Sequence, residues 1–259
     1  MVWAGLIALV AALVCAWFAH RARTHIRAMV GTETLPVAEL EQLRQAAVEA
    51  AGEGHFRYRC EVVGVARPHA DGPLTSQLKE VDCVWHRHRV THKYWEIRTD
   101  NEGNRRRQES TRVVSQHASA QPFRVEDATG AIVIEPGKRE VDGAEKILDR
   151  FERDTGASTG ELRIGSLSLS LPSNSGSIGY QHEEWALAEG RRLYVHGEAT
   201  DAGGSLRIGA PAEGGVFLIS TRSQEELVRS ENRKLRGFGA GAVVAAAAGL
   251  VLSAVGLLG

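Results

Sequence analysis

The sequence predicts a mainly β domain of the α+β class, a partly closed barrel or sandwich with short helices, carried between two transmembrane helices. Three observations lead there. Residues 2–19 and 237–258 contain no charged side chain. The stretch between them is dominated by short runs rich in β-branched and aromatic residues, which alternate apolar with polar and are punctuated by glycine-containing turns. Helical patterns gather mainly where that stretch approaches its two ends.

The 259 residues are 43% hydrophobic and 24% charged, enough for one medium domain plus accessories. A net charge of -1 excludes a strong overall field. At the rise of an α-helix the two uncharged stretches reach roughly 27 to 35 Å, the thickness of a bilayer core. The first lacks the basic leader of a signal peptide and exceeds the usual apolar length of one, so it reads as a retained anchor. Val14 before Cys15 argues against lipoprotein processing, and the Cys15 thiol reads as an ordinary buried one.

Basic residues near membrane ends favour the cytoplasmic side. Arg21, Arg23 and Arg27 follow the first span, and Arg229, Arg233, Lys234 and Arg236 precede the second. That pattern places the central domain in the cytoplasm of a two-span cell-membrane protein, with both termini outside. There Cys60 and Cys83 would be reduced thiols; with Cys15 they are the chain's 3 cysteines, too few for a disulfide framework.

Between the spans the elements follow in order. A juxtamembrane linker covers 20–34. "LPVAELEQLRQAAVEAA" (35–51) opens the central domain (35–222) with Pro36 near its start and Gly52 just past its end, an amphipathic helix. "FRYRCEVVGVA" (56–66) alternates as a strand, and "PHADGP" turns it. "VDCVWHRHRVTHKYWEIR" (81–98) reads as one long strand that returns through "RRRQESTRVVSQHA". "PFRVEDATGAIVIEP" (122–136) is a second hairpin. "AEKILDRFERDTG" (144–156) predicts a short helix ending at a glycine. "ELRIGSLSLSLP" resumes the alternation. Three further strand stretches come from "YQHEEWALAEGRRLYVHGEATD", "GSLRIGAP" and "GGVFLIST", for about eight strands in all. Ser223 with Glu226 fits a capping box for an amphipathic connecting helix over 223–236 that runs into the second span at 237–258.

That second span carries Gly237, Gly241, Ala245, Gly249 and Ser253 at intervals of four, a ridge of small side chains on which another helix can pack closely. The partner is either the first span or, in a homo-oligomer, a second copy of the chain.

The densest cluster of chemistry-bearing residues is "CVWHRHRVTHKYW" (83–95). On a strand His86, His88 and His92 share one face. Neighbouring strand positions can offer two ligands to one zinc ion, so His86 and His88 are the candidate metal pair. By strand rise His92 lies roughly 13 Å further on and cannot join them. His69, His117 or Cys60 could complete a site only if the fold brings them near, and the sequence alone implies neither a metal nor another cofactor. With Arg87, Arg89 and Lys93 on the opposite parity, the segment reads as an edge strand or projecting hairpin arm, buried at its ends. Arg105 to Arg107 sit beside a turn without the aromatic-lined basic face that nucleic acid requires, so nucleic acid is not an expected partner. Glu183 and Glu184 next to Trp185 read as the start of a strand with one carboxylate solvated, rather than as an acid–base pair.

The ordered set "LTSQLKEVDCVWHRHRV", "PFRVEDATGAIVIEP", "YQHEEWALAEGRRLYVHGEA" and "LRIGAPAEGGVFLISTRSQEELVRSENRKLRG", between two apolar anchors, resembles the GIDE or beside-membrane domain of MULAN/MAPL-type membrane ubiquitin ligases. The most telling piece is the last, which leads straight into a membrane helix. The resemblance implies a domain held beside the bilayer and a family label of E3 ubiquitin ligase. In those ligases a zinc-bound RING finger follows the second membrane helix and recruits the conjugating enzyme. Three cysteines, one of them in the first span, cannot build its two-zinc cross-brace. The expectation is therefore a RING-less, prokaryotic-type member without its own catalysis, whose partners are the lipid bilayer and an unidentified protein. A component of a conjugation pathway acting with a separate RING-like protein is the alternative. In the mitochondrial relatives this domain faces the intermembrane space, which corresponds to the extracytoplasmic side, opposite to what the basic flanks say.

Overall fold

In a computed structural model of the chain, residues 2–99, 103–154, 161–170 and 176–258 are described. They form two compact units: one takes in the chain up to Glu33 together with everything from Arg222 onward, the other is Thr34–Thr221.

The first unit is a pair of helices, α1 (Val2–Val30) and α3 (Gln224–Leu258). Both are long and apolar enough to cross a membrane. They run antiparallel, with Gly5 beside Ser253, Cys15 beside Gly241, and Phe18 stacked on Phe238 at 5.1 Å. Outward they expose Trp3, Leu6, Ile7, Leu13 and Trp17 on α1, and Val243, Val244, Leu250 and Val251 on α3. Apolar surface of this extent is stable facing lipid and not water. Helix α1 continues through the basic residues of the juxtamembrane stretch to Val30, and α3 is one unbroken helix through the connecting segment. No glycine or proline intervenes to stop either run before Gly31 and Gly237, and Gly237 is absorbed within the helix. The capping box forms: the amide of Glu226 donates to Ser223 Oγ, and that of Ser223 to Glu226 Oε2 at 3.2 Å.

The second unit begins with α2 (Val37–Ala51). Pro36 lacks a capping side chain, and the turn of a distant hairpin supplies the missing acceptors. The amide of Val37 donates to Asp127 Oδ2 and that of Ala38 to Thr129 Oγ1. Val37 and Leu40 enter the core.

Among the described residues fourteen strands follow in chain order: β1 (Arg57–Arg67), β2 (Leu74–Thr75), β3 (Asp82–Cys83), β4 (Trp85–Thr99), β5 (Arg105–Ala118), β6 (Phe123–Glu126), β7 (Ala131–Ile134), β8 (Glu145–Arg153), β9 (Glu161–Ile164), β10 (Leu167–Ser170), β11 (Ser177–Leu187), β12 (Arg192–Thr200), β13 (Arg207–Gly209) and β14 (Leu218–Ser220). The barrel closes in the order β1-β6-β7-β13-β12, because β12 pairs back onto β1, and β14 continues along the other edge of β12. Its inward residues alternate along each strand: Cys60, Val62 and Ala66 on β1, Val125 on β6, Ile132 and Ile134 on β7, Leu193, Val195 and Ala199 on β12. Gly197 sits where any Cβ would lie 2.7 Å from the Gly209 carbonyl oxygen, so the barrel wall admits no side chain there.

A second, four-stranded sheet runs β5-β4-β11-β8. Two expectations are corrected in it. Residues 144–154 are no helix: Glu145–Arg153 pair with β11 as edge strand β8, while the predicted terminal glycine at 156 lies outside the described residues. Strong helix formers such as Glu145, Lys146 and Leu148 signalled a helix, and the free edge of β11 overrode them. Strand β4 is interior, between β5 and β11, and not an edge. Its first half is buried and its far half exposed, where burial at both ends was expected.

Candidate functional site

Strand β4 divides its side chains between two unlike faces. His86, His88, Val90 and His92 lie on the face that the fold covers, and each is buried. The register adds Tyr180, His182 and Glu184 from β11 to the same layer and sets His117 of β5, which is exposed, opposite His88. The result is a buried polar layer rather than the usual aliphatic one, with Leu78, Val90 and Tyr180 as its apolar centre.

A short strap, Ser76–Val81, closes over this layer. It is fastened by one carboxylate and by Ser166, whose amide (3.1 Å) and hydroxyl (3.2 Å) donate to the Gln77 carbonyl. Glu184, wholly buried, accepts from the amides of Gln77 (2.8 Å) and Leu78 (3.0 Å) on Oε1. On Oε2 it accepts from the amide of Lys79 (2.8 Å) and the Ser76 hydroxyl (3.2 Å). Three successive amides turned onto one anion form a nest, which accommodates a buried charge by hydrogen bonding. Glu80 completes the turn at φ 56, the left-handed region that a non-glycine residue rarely occupies.

The imidazoles are less well served. His88 shares a hydrogen bond with Ser115 Oγ at 2.9 Å, and His92 with Ser177 Oγ at 2.9 Å while stacking on Tyr180. Nδ1 of His86 and of His88, and both ring nitrogens of His182, have no partner among the described residues. Burial pushes all four histidines below their ordinary value, His88 to about 4, with the nearby Glu184 only partly countering this for His86 and His88. At neutral pH the layer is therefore uncharged on its histidine side.

Of the residues able to complete a metal site with His86 and His88, the fold brings up one. His117 sits across from His88 on β5, its ring 6.2 Å from each of the other two. His69 lies in a loop paired with Asp71, and Cys60 points into the barrel. Among the described residues no three histidine, cysteine, aspartate or glutamate side chains are disposed to hold a metal ion.

The opposite face of the sheet is exposed and lined by aromatic rings under cations. Arg87 lies 4.0 Å and Lys146 5.1 Å from the Trp185 ring, Lys93 5.4 Å from Phe151, and Arg107 4.7 Å from Trp95. Ile97, 69% exposed, and Val113 share this face with Trp95. Glu183 also points this way and pairs with Lys146, so the two neighbouring glutamates serve opposite faces from the middle of β11.

A second buried polar group sits outside the barrel wall. Tyr194 donates to Glu61 Oε1, Thr34 to Oε2 at 3.1 Å, and His196, opposite Glu61 in the register, is held through Nδ1 by the Val216 carbonyl at 3.0 Å. Burial raises the Glu61 carboxyl despite these donors. No local signal marks this cluster, since a glutamate in an alternating strand reads as solvent-facing.

The thiols are chemically quiet. Cys60 and Cys83 are buried, and burial pushes each up to about 12, so neither supplies a thiolate near neutral pH. In α3, Gly249 meets α1 so closely that a Cβ would lie 2.9 Å from Leu9 Cγ, and Gly241 faces Cys15, while a Cβ at Gly237 would meet nothing.

Such a molecule, a closed β-barrel and a covered β-sheet in one unit and a hairpin of two candidate membrane spans in the other, belongs to the class of membrane proteins that carry a mainly β domain. A family model described as GIDE, E3 ubiquitin ligase, matches residues 93–254, more than half of the chain, and the chain is a member of that family. The match starts within β4, so His86, His88 and the barrel strand β1 precede it. No curated protein and no solved structure matches the chain.

Proposed function

We propose that this GIDE-family membrane protein works as an interaction or scaffolding module, presenting its β domain beside the bilayer to a partner protein and catalysing nothing itself. The observation that carries this reading is the exposed face of Trp95, Ile97, Val113 and Phe151, with Lys93 and Arg107 lying over its rings. Exposed aromatic and aliphatic side chains flanked by cations suit a partner surface of apolar residues rimmed by acidic ones. The quiet thiols support the absence of catalysis, because carrying ubiquitin as a thioester needs an accessible low-pKa cysteine.

The family description favours a second reading, a component of a ubiquitin-type conjugation pathway that acts with a separate RING-like protein. The basic flanks support a cytoplasmic domain. Of the small-residue ridge, Gly241, Gly249 and Ser253 serve the pairing of α1 with α3, and self-association through α3 would use its remaining face.

Purified full-length chain, mixed with activating enzyme, conjugating enzyme and ubiquitin, separates the readings. No conjugate beyond the background supports the scaffold. Conjugates that depend on the chain alone sink it, and conjugates that appear only when a RING-type protein is added support the pathway component. A binding partner that is lost by Trp95→Ala with Ile97→Ala, and kept by changes on the barrel surface, locates the docking face.

A further inference from the structure

We infer that the histidine-lined face of the four-stranded sheet and the strap over it form a proton-operated latch: acidification charges His86, His88 and His182, the strap Ser76–Val81 lifts, and that face is uncovered. The inference rests on the fold and is independent of the proposed partner.

On the histidine side the polar contacts that hold the strap converge on Glu184, which is already saturated by three amides and a hydroxyl, while Ser166 holds the Gln77 carbonyl from the β9–β10 turn, a contact that opening must also break. Glu184 has no acceptor capacity left for a histidinium. Around His86 and His88 stand Glu184, the exposed His117 and each other, so a proton on one buried ring disfavours a second proton on the other. His182 faces Arg150 and Glu152, whose carboxylate is 3.9 Å from Nε2 and lies at the half-exposed edge. His92 faces Asp154, Arg112 and Tyr180. From the strap itself come Lys79 and Glu80, both exposed. No buried anion is free to receive a new cation in the layer among these groups.

The closed state is also poised. Ring nitrogens of His86, His88 and His182 lack partners while the strap is shut and would be hydrated once it lifts. Glu80 would leave its left-handed backbone on opening. With His88 at about 4 when covered and at the ordinary value of 6.5 when hydrated, this residue alone raises the opening equilibrium about tenfold between pH 7.5 and 5.5. His86 and His182 act in the same direction.

The test is hydrogen exchange of the full-length chain in neutral-lipid nanodiscs, with protection corrected for the intrinsic pH dependence of exchange. The amides of Gln77, Leu78 and Lys79 should lose at least about tenfold in protection between pH 7.5 and 5.5 and stay less protected than those of β1 and β12 throughout, because the barrel exchanges only through the rarer global unfolding. In a His88→Gln, His182→Gln variant the strap's fall should shrink to less than half on a logarithmic scale, with intact barrel protection reporting the fold. A strap whose protection does not change with pH overturns the latch. So does an equal fall in the variant, or a strap as well protected as the barrel at pH 5.5. Should the double variant not fold, the wild-type chain decides: imidazole carbon shifts followed by NMR must titrate with the midpoint of strap opening, and opening without histidine titration refutes the proposal.

Discussion

At the scale of single residues, the structure turns on polar groups placed where apolar ones are usual. Glu184 joins β11 to the strap, and removing it leaves the buried amide of Leu78 and the part-buried amides of Gln77 and Lys79 without an acceptor. Glu184→Ala should lower unfolding stability by about 2–4 kcal/mol, read from urea denaturation of the detergent-solubilised chain. The histidines make stability depend on pH with a definite sign. An unfolded imidazole binds its proton near the ordinary value of 6.5, the folded one only at lower pH, so between the two the unfolded chain carries more protons and stability rises with pH. Their contribution is complete above about 6.5 and is lost as pH falls, down to about 4 for His88, where the shift corresponds to about 3 kcal/mol. Glu61 runs the other way: its raised carboxyl adds stability below its unfolded value of 4.5 and loses it as pH rises through the folded one. The urea midpoint should therefore drop between pH 7.5 and pH 5, and a midpoint that rises over that interval would contradict the neutral histidine layer. The parity of His86, His88 and His92 was legible in the sequence, and their burial was not. Alternation says which residues share a face, but whether that face is wet depends on the strap and on β11, both distant in the chain.

Elements show the same division between local and distant causes. The hairpin of β6 and β7, the α2 helix and the capping box at Ser223 follow from nearby residues, and each is where its turn or cap signals put it. Strand β8 does not, because its helix-favouring composition yields to pairing with β11 that no local window contains. The β4–β5 hairpin itself came through from the alternation of its two arms, but the exposure of Trp95 and Ile97 in its far half did not, because burial was expected there. For α1 and α3 the ridge predicted close approach without saying to what, and Gly249 and Gly241 lie against Leu9 and Cys15. A Gly241→Cys change should therefore form an intramolecular disulfide with Cys15 on mild oxidation, seen as a monomer of altered mobility. Gly249→Leu, added to it, should abolish the bond by forcing the helices apart. A disulfide-linked dimer in place of the monomer would assign the ridge to a second copy of the chain.

For the whole molecule, composition announced a β domain between two apolar helices, and the family match agrees with the resemblance carried by the ordered segments. Sidedness has a direct check. Cys83 is a poor reporter because it is buried, whereas Lys138 is exposed. A Lys138→Cys variant in intact cells should resist an impermeant maleimide and react after lysis if the basic flanks set the orientation. Function at this scale rests on whether the chain transfers ubiquitin or only positions another protein. The most direct measurement is a reconstituted conjugation reaction with the full-length chain in nanodiscs and no other ligase present. The scaffold account predicts conjugate at the level of the conjugating enzyme alone; ubiquitin chains that increase with the concentration of this protein would contradict it.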